Sequence, residues 1–398
     1  MTDTEKLLHE LVALPSVNPA LLPAQHPRAG EQRVAEFLAA TAAKAGLDVE
    51  LQPVLPLATK RPGPTPARAR AGQQQSERSA RCNLIARLAP TGRIRQRILL
   101  APHLDTVDAE PGQFVPRRKG GRLFGRGTCD TKGSVAAMIR ALCELARAQR
   151  RPSATEIVFA GLVDEEDGQA GSRALAASGF KADLAIVGEP TRLQVVIAHK
   201  GSIWLRLETR GRSAHGSRPE LGRNAVLAMA RIVEVLETEY VALLARRRHP
   251  LLGCATSSVG VISGGTQANT VPDHCVIKVD RRTLPGETRA GVHREILALL
   301  RRKNLRATCN DDPRAPCLPL ETSADLPLVG QLLRSVGQRQ PAGVRFFCDA
   351  SVLAAAGIAS VVFGPGDIAQ AHTGDEWISL PAVERAKAML LRFLQSLP

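Results

Sequence analysis

At 398 residues, 44% hydrophobic and 23% charged, the chain is long enough for two domains with substantial cores and is too apolar to be disordered throughout. The net charge of +15 raises nucleic acid as a partner, but the excess arginine is dispersed, aromatics make up only 3%, and no helix-turn-helix, finger or RNP pattern occurs. No signal-peptide pattern occurs, no apolar run reaches the roughly 20 residues a bilayer span needs, and the eight cysteines lack C-x-x-C spacing. The expectation is a soluble cytoplasmic protein with no nucleic-acid partner, no membrane partner and neither a disulfide framework nor a structural zinc site.

In chain order, EKLLHELVAL and EQRVAEFLAATAAKAG carry the spacing of amphipathic helices. Residues 60–81, KRPGPTPARARAGQQQSERSAR, lack apolar periodicity and are expected to form a largely disordered basic insertion. NLIARL, RILLAPHL, EIVFAGLV, DLAIVGE and SVVFG are short apolar runs that predict strands, with helices such as KGSVAAMIRALCELARAQ between them. Strand and helix in alternation predict an α/β domain whose mainly parallel sheet is covered by helices on both faces.

Between residues 199 and 312 the pattern changes. SIWLRLETRG, GRNAVLAMARIVEVLE, SSVGVISGG, CVIKVDRRTL, AGVHREILALLRRK and RATCN spell β-α-β-β-α-β, the order of a ferredoxin-like α+β domain. SVVFG and the helix PAVERAKAMLLRFLQSL follow it, so 199–312 reads as an insertion into a larger domain formed by 1–198 and 313–398.

The polar residues at the ends of the predicted strands carry the chemistry. RILLAPHLDTV ends in His103 and Asp105, EIVFAGLVDEEDG in Asp164, Glu165, Glu166 and Asp167, DLAIVGEP in Glu189, and SVVFGPGDIAQAH leads to His372. The carboxyl ends of neighbouring strands in an open α/β sheet line one crevice, where two imidazoles and several carboxylates suit zinc or a similar divalent ion. An isolated VDEEDG would be a solvated acidic turn; in an extended segment its adjacent carboxylates would point to opposite sides, one to a metal and one to a water. GRGTCDTKGSVAAM places Asp130 in a Gly-rich turn before a helix, where capping by Asp130 or Thr131 is the alternative to metal binding.

The series HLDTV, GRGTCDTKG, VDEEDGQAGS, VGEPT, GRSAHGSRPELGRNA, VDRRTLPGE and GPGDIAQAHTGDEW resembles, in order and spacing, the di-zinc aminoacylase, acetylornithine deacetylase and succinyl-diaminopimelate desuccinylase family. The resemblance implies two divalent ions, zinc or cobalt, bridged by Asp130. His103 and Glu189 would complete one site, and Glu166 and His372 the other. It makes Glu165 the general base and Asp105 the partner that orients His103. His215 would stabilise the oxyanion from across a homodimer interface in the inserted domain, although a plain polar loop histidine is its alternative. Arg282 and Asn269 match positions that hold the substrate's carboxylate or carbonyl. Gly364 and Gly366 would let the backbone approach substrate, or simply turn.

HKGS at 199–202 and GPGDIAQAHTGDEW resemble acetylornithine deacetylase and its close deacylase relatives. The implied reaction is amide hydrolysis of a small N-acyl amino acid such as N-acetylornithine. Succinyl-diaminopimelate hydrolysis and carboxypeptidase or dipeptidase activity are the alternatives that share its chemistry, and a metal-bound scaffold without turnover is the non-enzymatic one. Glu165 and His215, which a scaffold does not need, argue against the last.

Overall fold

The computed structural model describes residues 1–55, 81–311 and 317–398. Of the expected basic insertion, only Arg81 lies among them; it is the first residue of a strand, and residues 60–80 lie outside the described residues, as does the expected domain boundary at 312. The chain forms two compact units, one of Met1–Ile197, Thr322–Ala342 and Cys348–Pro398, the other of Ala198–Glu321 and Gly343–Phe347.

In chain order, the first unit begins with α1 (Asp3–Ala13), α2 (Gln32–Ala43), β1 (Asp48–Val54), β2 (Arg81–Leu88), β3 (Gln96–Pro102), α3 (Gly133–Arg147), β4 (Thr155–Gly161), α4 (Ala170–Ala177) and β5 (Leu184–Gly188). The second unit supplies β6 (Gly201–Arg210), α5 (Ala225–Val235), β7 (Thr256–Gly264), β8 (His274–Thr283), α6 (Arg289–Arg302) and β9 (Thr308–Asp311). The first unit resumes with α7 (Pro327–Val336), α8 (Ala350–Ala355), β10 (Ser360–Val362) and α9 (Leu380–Gln395).

Six strands of the first unit run in the order β1-β2-β4-β3-β5-β10. The four from β4 to β10 are parallel, whereas β1 and β2 pair antiparallel at one side. Every residue of β4, β5 and β10 is buried, so both faces of the sheet centre are covered. Each Val, Ile, Leu or Phe buried there contributes about 1.5–3 kcal/mol. The apolar run of α3 packs in the same core: Val135, Met138, Ile139 and Leu142 are all inaccessible to solvent.

The second unit is the β-α-β-β-α-β arrangement anticipated from sequence, a sheet in the order β7-β8-β6-β9 with every neighbouring pair antiparallel. Its own core gathers Leu205 and Leu207 of β6, Ile232 of α5, Ile277 and Val279 of β8, and Ile296 of α6. Alternation along β8 buries Cys275, Ile277, Val279 and Arg281 and turns Lys278 outward.

Candidate active site and metal centre

The four parallel strands finish at the same edge of the sheet, and ionisable residues follow each of them. His103 comes directly after β3, Glu189 directly after β5, the Asp164–Glu166 turn three residues after β4, and His372 beyond β10. A bridge between His103 and Leu162 carries the parallel register past the strand ends and brings the two segments level. Parallel alignment is therefore what collects residues remote in sequence at one crevice.

Asp130 lies at the centre of the collected side chains. One carboxylate oxygen is 3.0 Å from His103 Nε2, and the other is 3.4 Å from His372 Nε2. His372 Nε2 also meets Glu166 at 3.1 Å, and Glu189 is 3.8 Å from His103 Nε2. Asp130 caps no helix, which removes the alternative its sequence position left open. Its turn requires Gly127, whose φ is +82° and where a Cβ would lie 2.8 Å from the Thr106 methyl.

Asp105 has two tasks. Its carbonyl faces His103 Nδ1 at 3.0 Å and accepts that ring N–H, which leaves the Nε2 lone pair directed at the crevice. Its carboxylate, 3.5 Å from the same nitrogen, accepts the backbone N–H groups of Glu165 and Glu166 at 3.0 Å each and the Asn18 amide at 2.8 Å. The acidic segment is thus a turn pinned from beneath, not the extended segment expected, and Asp164 within it has φ +73°. Asn18 also donates to Asp164 at 3.1 Å. Arg81 bonds Asp164 at 2.7 Å and pairs with Glu31, so one guanidinium offsets two buried carboxylates behind the turn.

Burial pushes the Glu165 carboxyl well above the usual range, and the charges of Glu189, Asp349 and Glu166 add to the effect. Glu189 and Glu166 are raised by burial and by the charge of Asp130. Burial opposes protonation of His103, but hydrogen bonds to Asp105 and Asp130 outweigh it and hold the ring well above its ordinary value. Hydrogen bonds to Asp130 and Glu166 lift His372 to about 10.

An imidazole lone pair facing a carboxylate oxygen at 3 Å needs a proton or a cation between them. His103, Asp130 and Glu166 offer one ligand atom each, all within 4.8 Å of one another. The nitrogen and oxygen donors fit a divalent ion of the zinc or cobalt type.

Sequence reasoning missed Asn18, Arg81 and Glu31, as well as Glu376 and Asp349. Glu376 is wholly buried and accepts from the backbone of the Asp130 turn. Asp349 accepts from Ser172 Oγ at 2.6 Å, its second oxygen is buried without a partner among the described residues, and burial lifts its pKa to about 7. Only HTGDEW carried a local hint, because its Glu follows the motif histidine.

Gly364 and Gly366 have a packing explanation. A Cβ on Gly364 would lie 2.3 Å from Ser134 Oγ and 2.5 Å from the Glu189 carbonyl. One on Gly366, at φ +92°, would lie 2.6 Å from Cys129 Sγ. Both glycines bring their loop close behind Glu189 and Asp130.

In the second unit, His215 and Asn269 come together. The Gly216 N–H donates to the Asn269 carbonyl at 2.7 Å, and His215 bridges Thr270. The Ser217 N–H donates to His215 Nδ1 at 3.2 Å, so a neutral ring carries its proton on Nε2. Arg282 is elsewhere, at the far end of β8, bonded to Asp280 at 3.0 Å with its guanidinium 5.4 Å from the centre of the Phe347 ring. Its neighbour Arg281 is wholly buried between Tyr240 at 3.0 Å and Glu287 at 2.6 Å.

The sequence profile of peptidase family M20/M25/M40 matches residues 99–396, and the chain belongs to this family, whose members are metal-dependent amidohydrolases. Its relatives include the acetylornithine deacetylase of Myxococcus xanthus, 32% identical over 326 residues that cover 78% of this chain and 82% of the relative. The acetylornithine deacetylase of Proteus mirabilis (strain HI4320) is 29% identical over 403 residues, 98% and 96% of the two chains. A family M20 metallo-carboxypeptidase from Sulfolobus solfataricus has the same fold, with a TM-score of 0.73 at 17% identity over 99% of both chains.

Proposed function

We propose that this metal-dependent amide hydrolase deacylates N-acyl amino acids, with N-acetylornithine as its substrate, in the cytoplasm and as a homodimer. The observation that carries the reading is the Asp130 carboxylate, whose two oxygens face the Nε2 atoms of two histidines on opposite sides. His103 and Glu189 would hold one zinc ion with Asp130, and Glu166 and His372 the other. Ions held by these residues would supply the positive charge that acidifies a water and polarises the substrate's amide carbonyl. Glu165 takes the proton of the attacking water and hands it to the leaving amine; burial raises this carboxyl's affinity for the proton it must carry between the two. His215 Nε2–H donates to the oxyanion that develops on the carbonyl. Arg282 offers a fork for the substrate carboxylate, and Asn269 a donor for its carbonyl.

Two features support the dimer. His215 and Asn269 lie beyond one end of β8 and Arg282 lies at the other, roughly 27 Å away along the strand, far more than an N-acyl amino acid spans. Residues of two copies are needed for all three to reach one substrate. Among the described residues β7 is also an unpaired edge of its sheet, with Val261 50% and Ile262 57% exposed.

Activity on N-acetylornithine, N-succinyl-diaminopimelate and a dipeptide panel, with zinc or cobalt restored after chelation, tests the proposal. N-acetylornithine is expected to give the highest kcat/KM, and a higher value on either other class would overturn the substrate assignment.

A further inference from the structure

The segment that delivers His372 also carries Glu376, whose carboxylate has no exposed surface. One of its oxygens accepts the N–H groups of Cys129 at 2.8 Å and Asp130 at 3.1 Å. The other accepts the Gly127 N–H at 2.9 Å and the Arg126 guanidinium at 2.7 Å. Four donors converge on one carboxylate, three of them from the backbone of the turn that presents Asp130. Further ties hold the same region: the Gly125 N–H donates to the Glu376 carbonyl at 3.0 Å, Arg126 and Gln113 both donate to the Thr373 carbonyl at 3.2 and 3.0 Å, the Cys129 thiol donates to the Asp367 carbonyl at 3.3 Å, and Trp377, Ile378 and Ser379 pair with Phe124, Leu123 and Arg122.

The two histidines differ in how much they depend on this clamp. The His103 side chain is 1% exposed, and its ring is fixed by the Asp105 carbonyl. The His372 side chain is 51% exposed, and among the described residues its ring meets only Asp130 and Glu166. The placement of His372 against Asp130 therefore depends on the ties between 367–379 and 113–130, where the Glu376 carboxylate holds the backbone of the turn that presents Asp130.

We propose that Glu376 is a positioning residue for the ion held by His372 and Glu166, setting the distance between that histidine and the shared Asp130 while leaving the His103 side to its own anchor. The inference rests on the two-ion reading above. Loss of a side chain that orients ligands typically weakens metal affinity 10–100-fold, and the loss of Glu376 is expected to fall on one ion of the two.

The test is Co2+ titration of the metal-stripped full-length chain, followed by visible absorption and by equilibrium dialysis. The native protein should bind two equivalents. Glu376→Ala should keep one at native affinity and bind the other at least ten-fold more weakly, with kcat falling more than KM rises. Glu376→Gln, which keeps an acceptor for the backbone N–H groups, should lie between the two and serves if Glu376→Ala does not fold. Leu38→Ala, a core substitution, controls for general destabilisation and should bind both ions normally despite a lower Tm. Two native affinities in a folded Glu376 variant would overturn the inference alone, as would equal weakening of both ions. A native protein that takes up fewer than two equivalents would overturn the two-ion reading and this inference with it.

Discussion

In the first unit, the His103 side chain is 1% exposed and held on one side by the Asp105 carbonyl and on the other by Asp130; in the second, His215 is exposed and bonded to Ser217, two residues away. The same contrast runs through their neighbours. Asp130, Glu189 and Asp105 are buried, while Asn269 is exposed and Arg282 one-third exposed. Buried ionisable groups are costly unless each is paired, so the first unit surrounds its centre with donors, including Arg81, Asn18 and the N–H groups of Glu165 and Glu166. The second unit's residues need no such framework, because water satisfies them until a ligand arrives. The first arrangement suits a permanent cation and the second a transient substrate.

The contrast would break most visibly at the two histidines. His103→Ala is expected to lose metal and all measurable turnover, as read by elemental analysis and deacylation rate. His215→Ala should keep both ions and its Tm while kcat falls about 10²–10³-fold, the usual cost of one oxyanion donor. Mixing His215→Ala with Glu165→Ala protomers should then restore activity, up to about a quarter of the native sites after full exchange, since half the dimers are mixed and each has one complete site. No recovery despite proven subunit exchange would place His215 outside its partner's site.

Adjacent arginines sharpen the same distinction inside the second unit. Arg282→Ala should raise KM at least ten-fold with little change in Tm. Arg281→Ala removes the buried partner of Glu287 and Tyr240 and should cost about 3 kcal/mol of stability with KM nearly native in the protein that remains folded. Reversed effects, seen by kinetics and thermal melts on both variants, would show that the wrong arginine faces the substrate.

A smaller effect is expected at His199, the second unit's own buried imidazole. Its Nδ1 lies 2.9 Å from the Lys200 carbonyl, its Nε2 has no partner among the described residues, and burial pushes its pKa down to about 4 from an ordinary 6.5. Between pH 6.5 and 4 the unfolded chain therefore holds the extra proton, and stability is lost as pH falls, by up to about 3 kcal/mol from this group. His199→Phe should flatten that part of the acid limb in denaturant titrations; curves parallel to the native protein's would contradict the assignment.

β3, β4 and β5 of the parallel centre were legible because each is an apolar run that leads within a few residues to an ionisable one, a pattern with a physical reason behind it; β10 was legible as an apolar run alone, with His372 ten residues beyond it. The antiparallel pairing of β1 and β2 was not, since NLIARL reads alike in either direction. At the site, His103, Asp130, Glu166, Glu189 and His372 could be named from motifs. The turn that carries Glu165 was misread as extended because the force shaping it, the Asp105 carboxylate beneath two backbone N–H groups, comes from a segment 60 residues away. Glu376, Asn18 and Arg81 bond to backbone or to distant carboxylates and leave no local periodicity. Gly364 and Gly366 suggested either close approach to substrate or a simple turn; their close packing against Ser134, Glu189 and Cys129 lies between distant segments and has no local sequence signal.

The central claim is that neighbouring carboxylates divide the work, Glu166 holding metal and Glu165 moving the proton. Parallel measurement of metal content and kcat in Glu165→Ala and Glu166→Ala tests it most directly. Glu165→Ala should retain two ions per chain with turnover reduced at least 10³-fold, and Glu166→Ala should lose at least one ion. An active Glu165→Ala enzyme, or one that loses its metal as Glu166→Ala does, would contradict the account.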